Sequence, residues 1–453
     1  MSTDLHLAPA TRHGATAALA VSVIGFFVVT LDATIVNVVL PSIRADLGAG
    51  VSGMQWVVDG YTLMFAALLL TAGAFTDRLG ARTALAVGIA GFAVASAGCG
   101  FAPTLGALVA FRVIQGCAAA VVMPASMTLI RQAFPDPTQR GRALAIWGTG
   151  GAVAATSGPV LGGALAVVDW RWVFWVNLPI AVVAVALLVR VTPAQRRLAP
   201  FDWPGQVLAM LAMGGLTFGA IEAGAQGFTR PVVIAAFVVA ALAGAQFVRV
   251  EARSPHPMTP PALVRTRVVP ACLAVGFAFM FGYFGVPFIA SLYLQEVRHL
   301  TALHTGLLFL PMLVSGVLLS PFAARIFERF GRRPVIVSGL LVLAAGLVLL
   351  AALPMSAPLW VFSAAMILVG VSGPLISPPV TAILLDHVPP HQAGTASGMF
   401  NTARQVGGAL GVAVFGGLLT DRDTFAAGMT ASLLIAAAVG VAAAVIATRL
   451  PAR

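Results

Sequence analysis

Gly73-Ala74-Phe75-Thr76-Asp77-Arg78-Leu79-Gly80-Ala81-Arg82 lies between two long apolar runs, and a shortened copy, Glu328-Arg329-Phe330-Gly331-Arg332-Arg333, lies between two others. Asp77-Arg78-x-Gly80-x-Arg82 thus returns as Glu328-Arg329-x-Gly331-x-Arg333, 251 residues further along. Glycine permits a tight turn between two helices, and the charges can pair across helix ends. Two copies so far apart point to a duplicated helical bundle.

The chain has 453 residues, of which 59% are hydrophobic and only 9% charged. Ordinary globular domains carry about 25% charged residues, so this is an integral membrane protein. Fourteen apolar runs are long enough to cross about 30 Å of hydrocarbon. They fall at 15–40, 54–74, 83–102, 105–130, 142–167, 172–191, 204–224, 231–250, 268–294, 303–325, 334–353, 357–384, 393–420 and 425–448. The runs are unbroken and do not alternate, so the spans are helices rather than barrel strands.

A net charge of +11 invites a nucleic-acid reading, and its distribution argues against one. Every cation in the chain other than histidine is arginine. With the N-terminus inside, nineteen arginines fall in cytoplasmic segments (12, 78, 82, 131, 140, 142, 190, 196, 197, 249, 253, 265, 267, 325, 329, 332, 333, 449 and 453). Only Arg44, Arg171, Arg230, Arg298 and Arg422 fall in outer loops. This positive-inside bias predicts both termini in the cytoplasm and an even number of spans. Cys99, Cys117 and Cys272 lie within spans without metal-ligand spacing, which reads as packed thiols. The first apolar run is too long for a secretory signal and is expected to stay as a helix.

The two loop copies stand eight helices apart, whereas a simple six-helix duplication would place them six apart. Two inserted helices are therefore expected. Polar stretches around 192–203 and 249–267, with Arg196-Arg197 and Ser254-Pro255-His256-Pro257-Met258-Thr259-Pro260-Pro261, bracket that pair. The predicted fold is all-α: a tail at 1–14, a six-helix bundle at 15–192, a linker with two helices at 193–267, a second six-helix bundle at 268–448 and a tail at 449–453.

Chemistry is suggested by charges inside spans. Asp32 lies in Leu31-Asp32-Ala33-Thr34-Ile35-Val36-Asn37-Val38-Val39-Leu40-Pro41. A carboxylate at membrane depth costs at least a few kcal/mol and marks function by default. It is the group that a proton-driven cycle needs; the plainer alternative is a hydrogen bond to a neighbouring helix. Arg112, in Leu108-Val109-Ala110-Phe111-Arg112-Val113-Ile114-Gln115-Gly116, needs a buried partner, and Asp32 is the natural candidate. In Gly151-Ala152-Val153-Ala154-Ala155-Thr156-Ser157-Gly158-Pro159-Val160-Leu161-Gly162-Gly163, Pro159 bends a helix and the small residues admit a close neighbour. Further polar or aromatic stretches are Gln55-Trp56-Val57-Val58-Asp59-Gly60-Tyr61, Trp170-Arg171-Trp172-Val173-Phe174-Trp175-Val176-Asn177-Leu178-Pro179 and Asn401-Thr402-Ala403-Arg404-Gln405-Val406-Gly407-Gly408.

Together these motifs resemble those of the major facilitator superfamily, in its 14-helix drug:proton antiporter branch, over roughly residues 15–448. The resemblance implies a proton-coupling role for Asp32 and Arg112. It implies a substrate cavity bearing Asn37, Asp59, Tyr61, Gln115, Glu222 and Arg404, although Glu222 could face the outer headgroups and Arg404 could serve only interhelical bonding. Gly73, Asp77, Arg78, Gly80 and Arg82 would latch alternating access; Gly158, Pro159, Gly162 and Gly163 would mark export. Some relatives carry an acid in the tenth helix. The run 303–325 has none, which weakens the case for dicationic substrates.

The expected function is export of lipophilic, sometimes cationic, small molecules in exchange for protons. A dedicated exporter of one metabolite or antibiotic stays open, and the Gly158-Pro159 motif disfavours an importing symporter. A lysine-free chain has no Gly-x-x-x-x-Gly-Lys loop for ATP, so the energy must come from a gradient. A membrane enzyme would need convergent groups at one depth, yet all seven histidines (6, 13, 256, 299, 304, 387 and 391) lie in the tail, loops or helix ends. Catalytic residues, metal and cofactor are not expected. The expected partners are the small-molecule substrate, protons and the lipid of a bacterial cytoplasmic membrane, with no nucleic acid; a monomer is expected.

Overall fold

The computed structural model describes residues 12–191, 202–254, 257, 259–389, 392–419 and 424–451, and among these every regular element is helical. The first group comprises α1 (Arg12–Leu47), α2 (Val51–Leu79), α3 (Ala81–Gly100), α4 (Leu105–Ala133), α5 (Pro137–Ala166), α6 (Trp172–Trp175) and α7 (Asn177–Leu188). The pair α8 (Trp203–Gln226) and α9 (Pro231–Glu251) follows, then the short α10 (Pro261–Val264). The last group is α11 (Val268–Leu292), α12 (Ala302–Leu308), α13 (Leu310–Phe330), α14 (Arg332–Ala352), α15 (Leu359–Asp386), α16 (Ala393–Leu418) and α17 (Phe425–Ala447).

Local sequence explains several starts. Thr104 caps α4 by accepting from the Ala107 amide (3.3 Å), and Asp136 caps α5 by accepting from Gln139 (2.8 Å). Pro137 sits in the first turn of α5, where its missing N–H costs nothing. The expected sixth span is two helices, α6 and α7, that meet at Val176; the tenth is likewise divided at Phe309 into α12 and α13.

Ten helical segments among the described residues are long and apolar enough to cross a membrane. Helices α2, α5 and α16, with 29, 30 and 26 residues, also have the length to cross a membrane. Only 11% of the apolar window of α9 is buried within the protein, against 61% for Val268–Val297. The apolar outer faces of α9 therefore suit lipid rather than a protein core.

Helices α1–α7 pack among themselves, chiefly α1 on α5 and α4, α2 on α4, and α3 on α4. In the other half α11 packs on α16 and α17, and α15 on α13 and α14. Helix α8 lies against α9 and also touches α2 and α16, one from each half. Missing side chains allow close crossings: a Cβ on Gly116 would overlap the Tyr61 carbonyl oxygen, and one on Gly411 would overlap that of Phe281.

The two sequence copies fold alike. Gly80 ends α2 at φ 80°, ψ 141°, and Gly331 ends α13 at φ 86°, ψ 149°. Such positive φ values favour glycine at both turns. Arg78 is exposed and Gly73 faces open space, while the Asp77 side chain lies outside the described residues.

Candidate functional site

Asp32 and Arg112 form an ion pair inside the first half, and their side chains are 0% and 1% exposed. The pair is deeply desolvated, so its persistence depends on the remaining donors and acceptors being met. They are met from several neighbours. Gln115, three residues after Arg112 and on the same face of α4, donates to Asp32 Oδ1 at 2.9 Å. Asn177, the first residue of α7, donates to the same oxygen at 3.0 Å. Arg112 Nε donates to the Val57 carbonyl of α2 at 2.9 Å, and its Nη1 reaches Gln115 Oε1 at 2.8 Å.

A further layer fixes these partners. Ser96 on α3 accepts from Asn177 (3.0 Å) and Gln115 (3.3 Å) and donates to the Phe174 carbonyl (2.8 Å). The guanidinium lies 4.3 Å from the Tyr61 ring centroid, within cation–π range. Tyr61 Oη donates to the Val29 carbonyl at 3.0 Å. Helices α1, α2, α3, α4 and α7 thus converge on one carboxylate. Arg112 supplies its charge balance, and the neutral donors fix which oxygen faces which partner. A displacement of α1 against α4 would exchange these donors for solvent or a proton. That is the chemistry the arrangement offers.

The residues expected along a cavity fall in several places. Tyr61 and Gln115 belong to the ion-pair network and are buried. Asn37 donates to the carbonyls of Ala33 (3.3 Å) and Thr34 (3.5 Å) in its own helix, and its buried Oδ1 has no partner among the described residues. Asp59 is fully buried, and among the described residues neither carboxyl oxygen has a partner. It lies one turn beyond Gln55, which donates to the carbonyls of Val412 (3.1 Å) and Ala413 (2.6 Å) on α16. Glu222 accepts from Trp56 (3.5 Å) and Gln226 (2.5 Å), which sets it between α8 and α2. Arg404 reaches Asn401 Oδ1 at 3.4 Å, and its buried Nε has no partner among the described residues.

The α5 motif sits on both kinds of crossing. A Cβ on Gly158 would overlap Thr34 Oγ1, and one on Gly162 would lie 2.7 Å from the Ile35 carbonyl oxygen, so these glycines bring α5 onto α1. Gly163 faces the Ala302 carbonyl, and Gly306 of α12 faces the Pro159 carbonyl, so the same stretch also joins the two halves. At the same end of the bundle Arg44 of α1 pairs with Glu296 (2.6 Å), and Gln295 donates to the Val38 carbonyl (2.7 Å). Both partners lie in the π-helical turn Tyr293–Val297 that follows α11.

Sequence reasoning missed Ser96 and Asn177 as site residues, and the Arg44–Glu296 pair altogether. Ser96 and Asn177 are polar residues within apolar stretches, which is the signal that singled out Asp32. Their convergence on one carboxylate depends on α3 and α7 packing beside α1. Asn177→Ala removes one charge-assisted donor to Asp32 and the anchor to Ser96. We expect a stability loss of about 1.5–3 kcal/mol, read as a lowered melting temperature of detergent-purified protein.

Two helical halves, joined through glycine crossings at one end and carrying a buried ion pair, fit the class of membrane transporters. The family profile of the Major Facilitator Superfamily matches residues 22–412 and 312–453, and the chain belongs to that superfamily. It is 34% identical over 420 residues to the Methylenomycin A resistance protein of Streptomyces coelicolor, covering 92% of this chain and 88% of that protein. It is 35% identical over 408 residues to the Tetracenomycin C resistance and export protein of Streptomyces glaucescens, covering 89% and 76% respectively. Among solved structures, a D-xylose-proton symporter superposes with a TM-score of 0.69 at 15% identity over 96% of this chain and 98% of that one, a likeness of fold.

Proposed function

We propose that this protein exports lipophilic small molecules across a bacterial cytoplasmic membrane in exchange for protons, with Asp32 as the coupling carboxyl. The observation that carries this reading is the Asp32 carboxylate, held by Arg112, Gln115 and Asn177 in the buried interior of the first half. Relatives named for antibiotic resistance and export support the direction of transport. In this reading the chain has fourteen spans, divided at 15–192, 193–267 and 268–448, with both termini cytoplasmic.

On that topology the Arg44–Glu296 end faces outward, so the structure is closed on the outside. Substrate would enter between the halves from the cytoplasm or inner leaflet. Rocking about the seam would then open the outer end. Binding of proton and of substrate must oppose each other in at least one state, and linkage makes that effect reciprocal. The cavity roles of Asn37, Asp59, Tyr61, Gln115, Glu222 and Arg404, and the latch role of the Gly73–Arg82 turn, are part of the same proposal.

A second reading is a dedicated exporter of one antibiotic, favoured because these relatives bear the names of single compounds. Ethidium efflux from energised cells separates the two. Polyspecific export predicts ethidium loss that stops on addition of a protonophore. A dedicated exporter leaves ethidium unmoved and raises resistance to one compound only. Movement that persists without a proton gradient would overturn the coupling in either reading.

A further inference from the structure

We propose that Asp202 and Glu251 hold a single proton between them, a proton-binding site outside the Asp32 network that clasps the two ends of the α8–α9 hairpin. Asp202 precedes α8 and caps it, its Oδ1 accepting from the Gly205 amide at 2.9 Å. Glu251 is the last residue of α9 and is 3% exposed. Its Oε2 accepts from the Thr259 amide (2.7 Å) and hydroxyl (3.0 Å).

That leaves one oxygen on each acid, Asp202 Oδ2 and Glu251 Oε1, both buried and both without a partner among the described residues. The two converge over Gly205. A Cβ built there would lie 2.6 Å from Glu251 Oε1 and 3.0 Å from Asp202 Oδ2, so the oxygens can be no farther apart than the sum of those distances. Among the described residues no arginine pairs with either acid, and the neighbouring Arg249 and Arg253 are exposed.

Two ionised carboxylates facing each other out of water repel, and neither oxygen would have a donor. One proton removes both problems, because the protonated acid donates to the ionised one in a short, charge-assisted hydrogen bond. A divalent cation fits less well: Ca²⁺ takes about 6–8 oxygen ligands and Mg²⁺ about six, while only two oxygens here are free.

The clasp has consequences for the inserted helices. Gln206, in the first turn of α8, donates to the Ala67 carbonyl (2.9 Å) and accepts from Thr71 (2.5 Å), fastening α8 to α2. Thr259, held by Glu251, leads into α10 and the second half. The shared proton thus ties the hairpin, the first half and the approach to the second half at one point.

Infrared difference spectroscopy of the full chain in lipid nanodiscs at neutral pH tests this through the protonated-carboxyl band. An Asp59→Asn background removes the other acid whose buried oxygens lack partners among the described residues. In that background Glu251→Gln and Asp202→Asn should each remove the same single band, and the double variant should remove no more. Two different bands, one lost in each variant, would mean two protons and overturn the proposal. So would no loss in either, or a band that appears only after chelation of Mg²⁺ or Ca²⁺. Carboxyl-¹³C labelling of glutamate and of aspartate in turn gives the count without substitutions at 202 or 251, should those variants not fold. The absence of any labelled protonated carboxyl there also overturns it.

Discussion

Asp32→Asn should abolish the proposed proton-driven efflux, with transport in energised cells falling at least tenfold, while the protein still reaches the membrane. The carboxylate receives three donors, from Arg112, Gln115 and Asn177. An amide in its place turns one acceptor into a donor and points it at donors already there. The Arg112 guanidinium then lacks a counter-charge at 1% exposure. Breaking one partner of a buried pair costs about 3–5 kcal/mol, so a clear drop in melting temperature should accompany the loss of transport. Asp32→Glu separates the two effects. It keeps the charge and can still carry a proton, so it should recover part of the stability even where the longer side chain impairs efflux. Substrate efflux is measured beside the melting temperature for each variant. Undiminished, protonophore-sensitive efflux by Asp32→Asn would remove Asp32 from the coupling step.

Reversing the charge of Arg44 should open the seam between the halves, and reversing Glu296 as well should close it again. This pair spans the two halves, and its side chains are 23% and 20% exposed. A pair of this kind contributes about 1 kcal/mol, which corresponds to roughly a fivefold change in a two-state population. Arg44→Glu sets two carboxylates face to face and should raise labelling of a single cysteine placed at the seam about fivefold. Efflux should slow, because the outward-closed state is populated less. The double variant Arg44→Glu/Glu296→Arg restores a pair of opposite sense and should return both labelling and efflux most of the way. Labelling that does not respond to the first change, or does not return with the second, would mean that the pair holds no gate. Gln295 reaching Val38 from the same π-helical turn supplies a second bond at this point, so the gate is expected to weaken rather than fail.

Much of this was legible before any coordinates. Apolar run lengths gave a helical membrane protein, and the Asp77-Arg78-x-Gly80-x-Arg82 repeat correctly marked two glycine turns of matching backbone conformation. A buried guanidinium needs a carboxylate or carbonyl partner, and Asp32, the natural candidate for Arg112, is the carboxylate it pairs with. The Gly158–Gly163 stretch was legible as a close crossing, though not as a crossing that serves α1 and α12 together. The division of the expected sixth and tenth spans was not legible, since hydropathy does not register where the helical hydrogen-bond ladder is interrupted at Val176 or Phe309.

The sequence by itself determined the solvent in which this chain folds, its helical content, its duplicated plan and the acid and base that must find one another. These follow from apolar run length, charge placement and the cost of burying an unpaired charge, all of which are local or additive. Only the tertiary structure decided that Gln115, Asn177 and Ser96 complete the Asp32 site, that Arg44 and Glu296 face each other across the seam, and that Asp202 meets Glu251 over Gly205. Each of these depends on the rotation of one helix about its axis and its height against another. Helix packing fixes both through side chains far apart in sequence, and a pattern of hydropathy carries no information about either.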